Sequence, residues 1–463
     1  MINKITSLVR NTFNQEPLNI IKLSADGSSR QYFRIITKDK SIIGTFNENL
    51  QENIAFIDYA KQLKSNGINV PEIYSADLNN NIYLQKDLGD ETLFSFGKTH
   101  SFQQTLPFYK KALTSLIKIQ NIKNFNFKNA YPTPEFNRES IMWDLNYFKY
   151  YFVKLADIQF NEKSLEDDFN TLCDYTQNCN QNFFLYRDFI QRNIMVYDND
   201  VYFIDFQGGR KGALQYDLAS FIYNSKTDLN NEQRHILLDF YINELKKVCD
   251  INTEEFMKYF HIYSYIRIMQ TFGAYGYRGF FQKKTQFLKS IPFAVKNLEY
   301  LENNVSLDIN LNELHRIFNE ILNSGKIKKL ADSSNLTITI RSFSYKDGIP
   351  YDKSGNGGGF VFDCRALPNP GREDKFKHLT GLDKEVKEYL ENQYSVQDFF
   401  ANAINLINQT INNYKQRNFT DLNISFGCTG GQHRSVFMAQ KCADILSQDI
   451  DLKIIIKHIK QNI

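Results

Sequence analysis

The chain has 463 residues, of which 42% are hydrophobic and 23% charged, and its formal net charge is +3. That length exceeds what one hydrophobic core organises, so two or three domains are expected, and the composition excludes a disordered or fibrous protein. A charge so near balance gives no bulk warrant for nucleic-acid or membrane binding, and no run of about 18 apolar residues marks a membrane span.

The opening stretch MINKITSLVRNTFNQEP holds no apolar core of signal-peptide length. Cys173, Cys179, Cys249, Cys364, Cys428 and Cys442 are scattered without paired metal-ligand spacing. Together these features predict a cytoplasmic protein with reduced thiols and no membrane partner. Residues 17–46 alternate as three strands (LNIIKL, QYFRIIT, SIIGTF) around the turn ADGSS, and apolar spacing at Ile54, Ile57, Ala60 and Leu63 predicts a helix over 52–66 closed by Gly67. VPEIYSAD and NIYLQKDLG read as two more strands about the turn Asn79-Asn80-Asn81. Three strands, a helix and two strands is the order of a small nucleotide-covering lobe.

From about 101 the pattern is helical, is interrupted by FFLYRDFIQRNIMVYDNDVYFIDFQGG, and resumes from about 217 to 322. The polar stretch NSGKIKKLADSS at 323–334 is the candidate linker. A fresh αβ pattern follows: strand LTITIRSFS, a Gly-rich stretch, strand FVFDCR, helices near 382–392 and 396–413, strand LNISFG, a Gly-rich turn and the helix SVFMAQKCADILS.

In the interrupting segment, Asp188 and Asn193 stand five apart, and the hairpin IMVY-DND-VYFI leads to Asp205-Phe206-Gln207. Phosphoryl transfer needs a carboxylate to orient or deprotonate the attacking hydroxyl and two ligands to hold Mg²⁺ against the phosphates of ATP. The hairpin returns the chain, so Asp205 comes back beside Asn193. Asp188 is then the base, and Asn193 and Asp205 are the metal ligands. The turn containing Gly27, Ser28 and Ser29 offers N–H groups and hydroxyls to phosphates. SIIGTF carries no lysine where many kinases place the one that grips them, and Arg30 and Arg34, on one face of the preceding strand, are the candidates for that charge. Trp143, the only tryptophan, is assigned to the core, with stacking on a sugar as the alternative.

The segment YRDFIQRNIMVYDNDVYFIDFQGGRKGALQYDLASFIYN resembles the aminoglycoside-phosphotransferase superfamily. More narrowly, DGSSRQYFRI, YLQKDLGDETL, RDFIQRN, IDFQ and YDLAS are similar to the anomeric kinases of N-acetylmuramate and N-acetylglucosamine in cell-wall recycling, over about residues 15–300. Two departures are evident: Tyr186 stands where the superfamily has His, and Gln207 replaces the Gly of D-F-G. The resemblance implies an adenine against the backbone of Gln85 to Asp87, and Asp217 as a brace for the catalytic loop.

In the C-terminal part, Cys428-Thr429-Gly430-Gly431-Gln432-His433-Arg434-Ser435 lies between a strand and a helix. A Gly-rich turn opening a helix aims several N–H groups at one spot, and His433 and Arg434 add donors, so a phosphate site is expected. The same octet fits the C-x-x-x-x-x-R-S loop of cysteine phosphatases, with Asp363 as general acid; this is the minor reading. SFSYKDGIP, FVFDCRALPNP, LTGLDKEV and GCTGGQHRSV resemble, in order, the C-terminal domain of the RNase adapter protein RapZ. That resemblance implies a bound amino-sugar phosphate, with Asp363, Thr429, Gly430, His433 and Arg434 as its ligands. Gly371 departs from the His that often follows P-N-P there. RNA binding is disfavoured by charge: from Ala331 onward there are 16 Lys and Arg against 15 Asp and Glu.

The expected fold class is therefore multidomain α/β and α+β: a bilobal protein-kinase-like fold at 1–322 (small lobe about 15–95, large lobe about 96–322), the linker 323–334, and a smaller αβ domain at 335–463. The expected activity is ATP- and Mg²⁺-dependent phosphorylation of a small sugar at its anomeric hydroxyl. The alternative is a non-catalytic regulatory protein that holds a nucleotide and an amino-sugar phosphate.

Overall fold

The computed structural model describes residues 1–23, 30–227, 229–327, 336–352, 359–416, 419–449 and 452–461. They divide into two compact units, Met1–Tyr277 with Phe293–Asn323, and Arg278–Pro292 with Ser324–Ile463. The short stretch Arg278–Pro292, which a split at the linker would leave with the first unit, groups with the second.

The first unit begins with a helix, Ile2–Phe13, that the alternation of the following strands did not announce. Its buried Ile5 and Val9 pack on Phe33, Ile35 and Ile42 of an antiparallel sheet. Strands β1 (Asn19–Leu23), β2 (Gln31–Ile36), β3 (Ser41–Phe46), β4 (Ile73–Asp77) and β5 (Ile82–Lys86) are arranged β1-β2-β3-β5-β4. Between β3 and β4 runs the helix Leu50–Ser65, whose N-cap Asn49 accepts the N–H of Glu52 and so fixes where that carboxylate enters the lobe. The lobe thus has the three strands, helix and two strands read from the sequence.

The large lobe is helical around two short ribbons. Strand β6 (Phe183–Leu185) pairs with β9 (Arg210–Gly212), and β7 (Ile194–Tyr197) pairs with β8 (Asp200–Phe203). In the second ribbon Tyr197 opposes Asp200, so only two residues turn the chain. Asp198 and Asn199 both take positive φ (52° and 56°), as a two-residue hairpin turn with the right twist demands, and Asp and Asn tolerate that conformation best after Gly. The core helix Thr253–Gly276 is apolar nearly all round and buries Phe260, Tyr263, Ile266 and Phe272. Trp143 corrects its expectation: it is 47% exposed on the helix Arg138–Phe148 and fills no core.

The second unit is a parallel sheet of β10 (Leu336–Ser344), β11 (Gly359–Asp363), β12 (Asp421–Cys428) and β13 (Leu452–His458), in the order β11-β12-β10-β13. Strand β13 follows the last helix read from the sequence and was not anticipated, although LKIIIKH carries three consecutive isoleucines. Central β12 is buried almost throughout, as a parallel strand covered on both faces must be. Helices Lys384–Glu391, Tyr394–Gln416 and Arg434–Leu446 contribute Val386, Leu390, Ile407, Phe437 and Met438 to its core. Among the described residues no helix is long and apolar enough to cross a membrane.

Candidate functional site

The first site is built on the loop that leaves β6. Asp217, completely buried on the helix Leu214–Ile222, accepts the backbone N–H groups of Tyr186 (2.6 Å) and Arg187 (3.0 Å). Burial pushes its carboxyl up to about 7, against those two N–H bonds. Arg187 takes φ 83° and directs its guanidinium to both oxygens of Asp144, at 2.7 Å each, beneath the Phe136 ring. Tyr186, in the position of the usual His, donates its hydroxyl to Ile204 O (2.6 Å), which ties the loop to the segment leading to Asp205.

This frame presents Asp188 with its side chain 50% exposed and 3.5 Å from the Arg267 guanidinium. Asn193 Nδ2 donates to Asp188 O (2.9 Å) and to Asp205 Oδ2 (3.2 Å), and Ile204 N donates to Asn193 O (3.0 Å). The two-residue turn of the β7–β8 ribbon thus brings together three residues spread over eighteen positions of sequence. Asp205 has φ 66° and is 40% exposed; Gln207 Nε2 donates to its Oδ1 (2.7 Å). Loss of solvation and then the Asp188 charge push its carboxyl up to about 6, with Gln207 and Arg30 opposing.

The two arginine candidates separate. Arg30 reaches Glu52 (3.0 Å) and Asp205 (3.8 Å). Arg34 is held away by both oxygens of Asp87 (2.7 and 3.1 Å) and by Asp90 (2.9 Å). Gly27, Ser28 and Ser29 lie outside the described residues.

Sequence reasoning missed Glu52, Arg187 with Asp144, and Arg267. Arg267 had a signal: it is a charged residue in a helix otherwise buried nearly all round, and it bonds Ser220 Oγ (2.8 Å) from there.

The second site lies at the carboxyl ends of β10, β11 and β12, where a ligand binds in an open parallel sheet. Register pairs Ser344 with Cys428 and Asp363 with Gly427. Gly431 takes φ 68° with the Ser344 backbone 3.0 Å from where a Cβ would stand, so a side chain there would be both strained and crowded. Cys428 is 3% exposed; its Sγ accepts Gly431 N–H (3.2 Å) and lies 3.1 Å from Ser435 Oγ. Burial alone would raise this thiol, yet the Ser435 hydroxyl, the N–H groups of Ser435 and Gly431, and the Arg434 charge together hold it below its ordinary value.

Thr429 and Gly430 are exposed at the tip, with open space beside Gly430. His433 is buried and donates Nε2–H to Phe376 O (2.9 Å). Arg434, 6% exposed, donates to the carbonyls of Arg365 (2.8 Å) and Leu367 (3.0 Å), while its buried Nε has no partner among the described residues. Asp363 is gripped by the Arg365 guanidinium, which holds it below the usual carboxylate range. A Cβ at Gly371 would stand 3.2 Å from His433 Cε1, so the position that departs from the resemblance faces this histidine. The structure therefore gathers all five candidates around the strand ends, with the side chains of Asp363, His433 and Arg434 already bonded to the domain's own backbone. A polar cavity of about 450 Å³ elsewhere in the first unit, beside Arg234 and Tyr300, is lined by none of these residues.

The sequence model of the phosphotransferase enzyme family matches residues 19–251, and that of the RapZ C-terminal domain matches 336–462. A nucleotide-binding protein of Thermotoga neapolitana is 37% identical over 117 residues, which are 25% of this chain and 40% of that one. One from Glaesserella parasuis is 40% identical over 131 residues, 28% of this chain and 42% of that one. The chain thus spans about two-fifths of the length of these curated relatives. Among solved structures, the choline kinase of Streptococcus pneumoniae aligns over 65% of this chain and 99% of its own, at 15% identity and TM-score 0.43. An amicoumacin kinase bound to AMP-PNP and Ca²⁺ aligns over 68% and 96%, at 10% identity and TM-score 0.48.

Proposed function

The chain belongs to the phosphotransferase enzyme family and ends in a domain of RapZ C-terminal type, and from that premise we propose that it is a kinase moving the γ-phosphoryl group of ATP to the anomeric hydroxyl of N-acetylmuramate or N-acetylglucosamine. We assign the kinase to 1–322, with lobes about 15–95 and 96–322, the linker to 323–334 and an amino-sugar-phosphate sensor to 335–463, all in the cytoplasm. The observation that carries this reading is the single hydrogen-bonded cluster of Asp188, Asn193 and Asp205.

In that cluster Asp188 is the group exposed enough to meet an incoming hydroxyl, and it would orient the hydroxyl and receive its proton as the O–P bond forms. Arg267 beside it limits where the carboxylate can turn. The donor set fits Mg²⁺, which takes one or two protein oxygens when phosphates supply the rest: Asn193 uses its Nδ2 on its neighbours, which leaves Oδ1 for a metal, and Asp205 supplies a carboxylate. When bound, the metal would neutralise charge on the β and γ phosphates. In the second unit, the loop N–H groups, Thr429 and the helix N-terminus would receive a sugar phosphate, with His433 and Arg434 behind them and Asp363 at the rim.

The second reading is a regulator that holds a nucleotide without turning it over, and the absence of lysine from β3 favours it. An ATP-consumption assay with Mg²⁺ against N-acetylmuramate, N-acetylglucosamine, glucosamine, glucose and an aminoglycoside separates the two. Turnover on an N-acetyl amino sugar with phosphate on the anomeric carbon is the expected result. Nucleotide binding without turnover on any acceptor supports the regulator.

A further inference from the structure

A kinase of this kind needs one fixed cation against the nucleotide phosphates, held by a carboxylate on the small-lobe helix and close to the metal-binding aspartate. Strand β3, Ser41–Phe46, contains no basic residue to provide it. Arg30 meets each requirement from a different strand. Its side chain is only 2% exposed, a burial that an arginine tolerates when paired. One guanidinium nitrogen is 3.0 Å from Glu52 Oε2 and the other 3.8 Å from Asp205 Oδ1, with the Phe56 ring 5.9 Å from its centre.

Glu52 is itself fixed. It is the third residue of Leu50–Ser65, and the same Oε2 accepts Asn47 Nδ2 at 3.0 Å. The β2–β3 register pairs Gln31 with Phe46, which puts Arg30 at the end of the strand pair beside Asn47. The charge therefore enters from the start of β2, next door to where β3 would have delivered it. Arg34 has no comparable reach, since Asp87 and Asp90 hold it.

We propose that Arg30 is the phosphate-gripping cation of this chain, with Glu52 as its positioning residue. The proposal rests on the kinase reading and deepens it: the lysine–glutamate pair of other kinases is replaced by an arginine–glutamate pair whose cation comes from a different strand. It also answers why β3 can do without a basic residue.

The test is nucleotide binding without any sugar, measured by displacement of a fluorescent ATP analogue in Mg²⁺, with ATP, ADP and adenosine as competitors. Arg30→Met is expected to weaken ATP and ADP by roughly 10- to 100-fold, the range of a charge-assisted hydrogen bond, and to leave adenosine within about twofold. Arg30→Lys should recover most of the loss, and Glu52→Gln should show a smaller loss of the same kind. Equal weakening of ATP and adenosine would mean that Arg30 merely joins the lobes, and unchanged ATP affinity would mean that it holds no phosphate; either overturns the proposal. If Arg30→Met does not fold, Glu52→Gln carries the same comparison between ATP and adenosine. Wild-type protein that fails to bind Mg·ATP at all would instead remove the kinase reading, so the two failures are distinguishable.

Discussion

Asp188 and Asp205 keep their side chains about half exposed, whereas Cys428, His433 and Arg434 are sunk into their unit and bonded to it. Both regions are proposed here to receive phosphate, but the first is assembled from Arg30, Glu52, Asp188, Asn193, Asp205 and Arg267, while the second is nearly all one octet. A site that must receive a metal and a proton has to leave its carboxylates accessible and anchor them from behind, as Asp217 does through backbone N–H groups. A site that only receives an anion can build its donors into the backbone and let its side chains brace the turn. Chemistry and stability are thus separable in the first region and entangled in the second.

The largest effect tests that separation. Asp188→Ala removes an exposed carboxylate whose ion-pair contact is a 3.5 Å approach to Arg267. Turnover should fall by roughly 10³-fold, within the span of general-base contributions, while the thermal midpoint stays within about 2 °C, as for surface changes of under about 0.5 kcal/mol. An ADP-release assay beside a melting curve checks both. Substantial residual turnover would remove Asp188 as the base, and a large drop in the midpoint would show that the first region is as entangled as the second.

How far each region was legible follows from the same contrast. The octet at 428–435 announces itself because strand, Gly-rich turn and helix are consecutive, so the sequence nearly spells the cradle. Asp188, Asn193 and Asp205 were legible because a hairpin with Asp198-Asn199 at its tip has only one way to return the chain. Glu52 and Arg267 were not, since their roles depend on meeting Arg30 and Asp188 in other elements; the charge of Arg267 marks it as unusual in a buried helix but does not fix what it will face. The choice between Arg30 and Arg34 was equally out of reach: period-two reasoning puts both on one face, and only the positions of Glu52 and Asp87 part them. The helix Ile2–Phe13 and strand β13 carried signals that went unread: Ile2, Ile5, Leu8 and Val9 fall at helical spacing, and Ile454, Ile455 and Ile456 form an apolar run. Trp143 was misjudged because size and apolarity predict burial only on average.

A middle-sized effect sharpens the other half of the contrast. Arg434→Met leaves the carbonyls of Arg365 and Leu367 without their buried donor. The cost should be about 3 kcal/mol, seen as an earlier transition of the second unit. Asp363→Asn, at an exposed rim position paired with Arg365, should change that transition by no more than about 0.5 kcal/mol. Both variants should bind glucosamine-6-phosphate less tightly in calorimetry, so the comparison lies in stability. If Arg434→Met melts like the wild type, its hydrogen bonds are not bracing the loop, and the two regions do not differ in kind.

The smallest effect is a pH dependence at Cys428. Burial opposes ionisation, but the Ser435 hydroxyl, the loop N–H groups and Arg434 outweigh it, so the folded thiol ionises at lower pH than the unfolded one. A group depressed in the fold contributes stability that is fully present above its unfolded value and is lost as pH falls through the folded value. Raising the pH from about 7.5 to about 9, across the ordinary thiol range, should therefore raise the midpoint of the second unit relative to Cys428→Ala, in which that increment is missing. Cys364 and Cys442, whose thiols burial drives upward, act in the opposite sense, because they stay protonated in the fold while the unfolded chain ionises; they are present in both proteins, so the difference between the two reports Cys428. The same titration leaves Asp188→Ala and wild type parallel, since the Cys428 loop is present in both. Identical slopes for wild type and Cys428→Ala would show that the loop N–H groups do not favour negative charge at the sulfur, and would take away the electrostatic reason for expecting an anion there.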